Sequence, residues 1–273
     1  MITKQQLTAA IRELGLSGQN VCIHSSLRSF GDRLENGPAT VAEAFLGEGC
    51  TILVPSFSYE YQTAPDPQYM PERNAYPYEG APELEENGVY QADTAPVSRD
   101  MGAFPAYLVT REDSMRGGNP LNSFAAAGKN AAALVEGQSA KDVYAPFREL
   151  CRTDGFVLLL GVGLTRCTAI HYAEQQAGRE LFVRWAKAPE GKTIPVQTGS
   201  CSEGFEAFAP VLAPAVRTVQ VGESRWQVIW ARELVRLCAD AIRKNPGITH
   251  CGDPDCGRCN DAVRGGPVIN FEW

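Results

Sequence analysis

The sequence predicts an α/β fold, organised as a single domain with a long acidic loop insertion, and three observations carry that reading. Short apolar runs at residues 21–24, 51–55 and 156–160 are each bounded by turn-forming residues, as strands buried on both faces are. Stretches with a helical apolar period stand between and around them. The chain has 273 residues, of which 44% are hydrophobic and 21% charged, enough for one large core, and no internal repeat or linker divides it.

Taken in order, residues 3–14 place Leu7, Ala10, Ile11 and Leu14 on one helical face, with Thr3 as N-cap. Strand 21–24 runs into Ser25-Ser26-Leu27-Arg28-Ser29-Phe30-Gly31. The backbone N–H groups and side chains of such a loop suit a phosphate or a carbonyl oxygen, although Ser-rich turns without a ligand are common. Residues 40–46 read as a helix and 51–55 as the second strand. Residues 98–110 read as a helix bent at Pro105, and 116–128 as a Gly/Asn/Pro loop entering a small-residue strand. Asn130 caps a helix through Val135, and 143–151 forms another. Residues 181–185 and 193–196 read as strands joined by the turn Pro189-Glu190-Gly191-Lys192. A long helix is expected over 224–242, stopped by Pro246-Gly247.

The stretch 155–178 is the most informative. The buried strand 156–160 ends in Gly161 and Gly163, and Thr165 or Thr168 then caps a helix carrying His171 and Glu174. Three residues apart on a helix means one face, so imidazole and carboxylate are neighbours just beyond a strand end, where open α/β sheets place their chemistry. Such a pair is often no more than a solvated surface contact. Against that stands the count of only three histidines, His24, His171 and His250, with His171 directly after a glycine-rich loop. A histidine whose basicity a carboxylate raises is the natural general base near neutral pH.

The net charge of −7 is localised. Residues 59–94 hold eight acids (Glu60, Asp66, Glu72, Glu79, Glu83, Glu85, Glu86, Asp93) and one base, Arg73, while the rest of the chain is balanced. The same segment carries six of the nine tyrosines and shows no helical or strand period, which predicts a long ordered loop. Carboxylates mixed with aromatics suit a cationic ligand, and a solvated flap without a ligand is the alternative. There is no basic stripe for nucleic acid and no apolar run of the roughly 20 residues that cross a bilayer. The polar N-terminus lacks a signal-peptide core, so a cytoplasmic protein is expected.

The nine cysteines are not a disulfide framework. Cys22, Cys50, Cys151, Cys167, Cys201 and Cys238 read as small hydrophobes. His250, Cys251, Cys256 and Cys259 offer four metal-binding groups in ten residues, compatible with a structural zinc knuckle, a reduced Cys-rich turn or a labile redox pair.

Together, His24-Ser25-Ser26-Leu27-Arg28-Ser29-Phe30-Gly31, Thr51-Ile52-Leu53-Val54-Pro55-Ser56-Phe57-Ser58, the 116–128 loop, and the block from Val157 through His171-Tyr172-Ala173-Glu174 resemble the aminoglycoside 3-N-acetyltransferase family. The resemblance spans roughly residues 20–180. It implies a mixed sheet flanked by helices and acetyl transfer from acetyl-coenzyme A to an amino group of a polycationic amino sugar. It further implies that His171, oriented by Glu174, is the base. Ser25, Ser26, Leu27, Arg28, Ser29, Gly31, Ser123 and Phe124 would lie against the coenzyme. Tyr59, Glu60, Asp66, Asp93 and Asn119 would meet the acceptor. Two features depart from the family pattern: Asn119 stands where the family commonly has histidine, and the segment 101–105 lacks an expected glutamate and arginine. Monomer and homodimer both remain open. Rival readings are a divergent acetyltransferase for another amine, a zinc-dependent deaminase or hydrolase with His171 and Glu174 at a metal completed by the C-terminal cysteines, and a non-catalytic binder of cationic ligands.

Overall fold

A computed structural model describes residues 1–80, 84 and 88–273. Helix α1 (Lys4–Glu13) opens with a capping box: the Gln6 N–H donates to Thr3 Oγ1 and the Thr3 N–H to Gln6 Oε1. Strand β1 (Asn20–Ser25), helix α2 (Pro38–Gly47) and strand β2 (Thr51–Pro55) follow. Next come α3 (Ala103–Leu108), β3 (Ser114–Arg116), β4 (Phe124–Ala127), α4 (Ala131–Val135), α5 (Ala145–Arg152) and β5 (Phe156–Leu160). The second half comprises α6 (Ala169–Gln176), β6 (Phe182–Lys187), β7 (Thr193–Thr198), α7 (Ala209–Leu212), β8 (Arg217–Val221), β9 (Ser224–Trp230), α8 (Ala231–Lys244) and α9 (Gly257–Val263).

Seven strands form a mixed sheet in the order β3-β4-β2-β1-β5-β9-β8. The centre, β2-β1-β5, is parallel, and both flanks are antiparallel. Alternate residues of the central strands enter two separate cores, as the period of a strand requires. Ile52, Val21, Ile23, Leu158 and Trp226 pack under α1 and α2 with Leu7, Ile11, Val41 and Phe45. Leu53, Cys22, Val157, Leu159 and Ile229 pack under α5, α6 and α8 with Phe147, Ile170, Leu234 and Cys238. A separate hairpin, β6-β7, stands beside the sheet.

Two expected helices are corrected. The segment 224–242 is a strand and a helix: β9 alternates buried Ser224, Trp226 and Val228 with exposed or half-exposed Arg225 and Gln227, and α8 begins only at Ala231. Gly222, at φ 58°, makes the β8-β9 turn, and a Cβ there would meet the Phe30 carbonyl oxygen and the Ile2 side chain. Trp226, Ile229 and Trp230 follow the i, i+3, i+4 spacing of a helix, which is why the hairpin reads as helix from sequence, whereas the strand sends Trp226 and Ile229 to opposite faces of the sheet. The segment 98–110 forms a 3-10 turn at Arg99–Met101 and then the short α3, broken between them by Gly102 at φ 88°. Pro105 sits in the first turn of α3, where its missing N–H costs no helical bond.

The acidic segment contains no α-helix or strand among its described residues. It has two 3-10 turns, Tyr59–Tyr61 and Pro67–Tyr69. It is anchored on β6, where Asn74 Oδ1 accepts from the Val183 N–H and Tyr76 packs edge-on to Trp185. Glu83, Glu85 and Glu86 lie outside the described residues. No helix of the described residues is long and apolar enough to cross a membrane.

Candidate active site

The carboxyl ends of β1, β2 and β5 open into one cavity of about 890 Å³. After β5 the chain turns at Gly161, at φ 64°, where any Cβ would collide with Ser29 and Ser224. Helix α6 starts at Ala169; Thr168 holds the N-cap position without a side-chain cap bond, so neither expected threonine caps it in the usual way. His171 then stands one turn into the helix on the cavity wall.

His171 and Glu174 are both buried, not a solvated pair. Nδ1 and Glu174 Oε2 are 2.7 Å apart. A carboxylate only accepts, so Nδ1 carries the proton and Nε2 is the nitrogen left to take one. The other carboxylate oxygen, Oε1, accepts from Arg179 Nη1 at 2.6 Å. Arg179 in turn donates to Thr249 Oγ1 at 2.8 Å and to the Pro246 carbonyl. The imidazole, the carboxylate and the guanidinium thus form a buried chain whose far end is fixed by a segment some seventy residues away. Aromatic rings enclose the imidazole: Phe205 approaches edge-on at 4.8 Å, and Tyr144 stacks at 6.5 Å. Burial pushes the Tyr144 hydroxyl well above its ordinary pKa, so it stays neutral. The loop after β7 crosses so close that a Cβ on Gly199 would stand 2.9 Å from His171 Cδ2.

His24 also lines the cavity at the end of β1, but burial drives its pKa from 6.5 down to about 3. It is a neutral residue at physiological pH.

Of the coenzyme-side residues expected from sequence, Ser25, Ser26, Leu27 and Arg28 line the cavity. Ser29 and Gly31 do not: Ser29 Oγ donates to the Ser26 carbonyl and meets Ser224 Oγ at 2.7 Å, tying the loop to β9. Ser123 and Phe124 are corrected to structural positions, fully buried between β2 and β3. Ser123 Oγ is engaged by Arg116 Nε and by the Ser56 carbonyl. On the acceptor side, of the five residues expected there, Tyr59 alone lines the cavity. Glu60 accepts from Ser98 Oγ, and Asp66 caps the Pro67–Tyr69 turn. Asp93 does not line the cavity. Asn119 is fully buried with all its capacity used: Nδ2 donates to the Ser139 and Gln197 carbonyls, and Oδ1 accepts from the Leu121 and Asn122 N–H groups.

Of the cations in the cavity, sequence reasoning named Arg28 and missed the other four. Arg28, Arg99, Arg166, Arg184 and Arg258 all line the cavity, against one carboxylate, Asp100, among the described residues. No ion pair joins any of the five to a carboxylate among the described residues. Arg184 is buried, donates only to backbone carbonyls and stacks over Tyr76. Its burial, and then the neighbouring charge of Arg258, lower its pKa from 12.5 to about 10, so it remains a cation. These residues come from five separate segments, and no linear pattern brings them together.

The cysteines also regroup. Cys201, Cys251, Cys256 and Cys259 have sulfur atoms all within 4.8 Å of one another. His250 is not in this group: its Nε2 faces Asn260 Oδ1 and its Nδ1 accepts from the Gly252 N–H. Nor are His171 and Glu174, so among the described residues the cysteines do not complete a metal site around that pair, as the deaminase reading requires.

The family profile described as aminoglycoside 3-N-acetyltransferase matches residues 22–243. The chain belongs to this family. Its members are acyltransferases, and so is this protein. It is 30% identical over 280 residues to aminoglycoside N(3)-acetyltransferase III of Salmonella sp, covering 91% of this chain and 94% of that one. The structure is similar to that of aminoglycoside acetyltransferase AAC(3)-IVa in complex with a gentamicin, with a TM-score of 0.75, 25% identity and 97% of each chain covered. It also shares the fold of AAC-IIIb, solved as a binary complex with CoASH, with a TM-score of 0.71 at 22% identity over 89% of this chain and 96% of that one.

Proposed function

We propose that the protein transfers the acetyl group of acetyl-coenzyme A to an amino group of an amino sugar, the 3-amino group of an aminoglycoside, with His171 as general base. The observation that carries this reading is the buried His171–Glu174–Arg179 chain on the cavity wall, which leaves Nε2 as the proton acceptor. The acceptor nitrogen attacks the thioester carbonyl carbon while Nε2 takes its proton, directly or through a water. The carbon–sulfur bond of the tetrahedral adduct then breaks, and the imidazolium returns the proton to the departing thiolate. Glu174 stabilises the imidazolium, and Arg179 holds Glu174 in place. Ser25, Ser26, Leu27 and Arg28 face the coenzyme, with Arg28 and Arg99 as counter-charges for its phosphates. Family membership supports the coenzyme, and the names of the relatives support the acceptor.

A second reading of the acceptor rests on the charge of the wall. Arg166, Arg184 and Arg258 line the cavity and have no carboxylate ion-pair partner among the described residues. Such a wall suits an amine that itself bears a carboxylate or phosphate better than a polycation.

The deciding assay is release of coenzyme A thiol from acetyl-coenzyme A with aminoglycosides, neutral amino sugars and amino-sugar acids or phosphates. Turnover with aminoglycosides establishes the first reading, and turnover confined to the acidic amines establishes the second. His171→Ala is expected to lower kcat by about 10²- to 10⁴-fold with acetyl-coenzyme A binding retained. Unchanged turnover in that variant sinks the mechanism.

A further inference from the structure

We propose that Cys201, Cys251, Cys256 and Cys259 bind one zinc ion as a tetrathiolate site, and that this ion holds together two walls of the acyltransferase cavity and the anchor of its base. A tetrahedral zinc with sulfur ligands at about 2.3 Å requires sulfur atoms about 3.8 Å apart. The four sulfurs, all within 4.8 Å of one another, approach that spacing. None of the nine cysteines is in a disulfide.

The ligands come from two distant segments. Cys201 lies in the loop that follows β7, and the other three lie in the stretch leading into and through the first turn of α9. The backbone is shaped for the meeting. A Cβ on Gly204 would collide with the Thr249 carbonyl oxygen and stand 2.6 Å from that of His250, so only glycine lets the two segments run together. The Cys251 N–H donates to Cys259 Sγ at 3.4 Å, a bond that stabilises a thiolate. Zinc binds the four groups as thiolates, and their protons leave to solvent. His250 is held by Asn260 and Gly252, which makes the donor set four sulfurs and not three sulfurs and an imidazole.

The site's position gives the ion its consequence. Gly199, Ser200 and Ser202, around Cys201, line the cavity, and so does Arg258, between Cys256 and Cys259. Thr249, two residues before Cys251, is the hydroxyl that fixes Arg179 against Glu174. The ion therefore acts as a positioning element: it closes the loop against the C-terminal segment and holds the far end of the base's support. Chemistry at the metal is not part of the proposal.

The test is metal content first. Protein purified without chelator should contain one zinc per chain by plasma mass spectrometry, and mercurial modification of the thiols should release it. Cobalt exchanged into the protein should show the strong visible bands and thiolate charge-transfer absorption of a tetrahedral sulfur site. Cys201→Ser should lose the metal or its tight binding, whereas His250→Ala should keep a full equivalent. In the metal-free protein, hydrogen exchange should rise in residues 199–204 and 249–259 while the central sheet stays protected. Absence of zinc together with absence of the cobalt spectrum overturns the site, as does a disulfide among the four. Full zinc in Cys201→Ser, or its loss in His250→Ala, overturns the ligand set. Unaltered exchange in the metal-free protein overturns the positioning role. These readouts do not depend on which amine is acetylated, so they stand or fall separately from the acceptor.

Discussion

At the scale of single residues, two histidines of one cavity have opposite surroundings. His171 has a carboxylate at 2.7 Å and an open nitrogen. Among the described residues His24 has the Cys22 sulfur at 3.7 Å and no carboxylate partner, and burial lowers its pKa to about 3. The linkage has a definite sign: the unfolded chain binds a proton at His24 near pH 6.5 and the folded chain does not, so stability falls as pH drops below about 6.5. This one group contributes a loss of about 2 kcal/mol between pH 7 and pH 5. Denaturant titrations at the two pH values, compared between the natural protein and His24→Gln, check it; an identical pH dependence in the two refutes the assignment. The His171–Glu174 pair was legible in the sequence because helical spacing is a local property. Arg179 was not, since its role depends on Thr249 and Pro246, and neither was Cys201, which looks like any small buried residue until the C-terminal cysteines arrive beside it.

At the scale of elements, the parallel centre β2-β1-β5 and its loops were readable because strands buried on both faces leave continuous apolar runs. The β8-β9 hairpin was not, because Trp226, Ile229 and Trp230 satisfy a helical count and only Gly222 marks the turn. The β5 exit was flagged by its glycines, and the structure gives the reason: Gly161 combines a positive φ with contact against Ser29 and Ser224. Gly161→Ala should therefore cost about 1–3 kcal/mol of stability and displace the loop leading to α6. A lowered denaturation midpoint with weakened acetyl-coenzyme A binding is the expected result, and a variant of natural stability contradicts the packing described.

At the scale of the whole molecule, charge is sorted between surface and cavity. The net −7 arises in the 59–94 segment, yet the cavity wall is cationic. A charge count along the chain identifies an acidic stretch but not which way its side chains face, and here Glu60 and Asp66 are spent on local turns and hydroxyls. Raising ionic strength from about 0.05 to 0.5 M should raise KM for acetyl-coenzyme A several-fold with little change in kcat, because screening weakens the hold on its phosphates. Arg28→Gln should flatten that dependence, and a KM indifferent to salt in the natural protein would show that these arginines do not hold the coenzyme. The Arg179 anchorage has a further consequence, in the order of synthesis. During translation His171 and Glu174 leave the ribosome long before Pro246 and Thr249 do, and β5 emerges well before its sheet neighbour β9. A nascent chain that already displays the whole of α6 therefore still lacks the partners that hold Arg179 against Glu174, and the buried His171–Glu174–Arg179 chain is complete only when the C-terminal segment has folded back onto it.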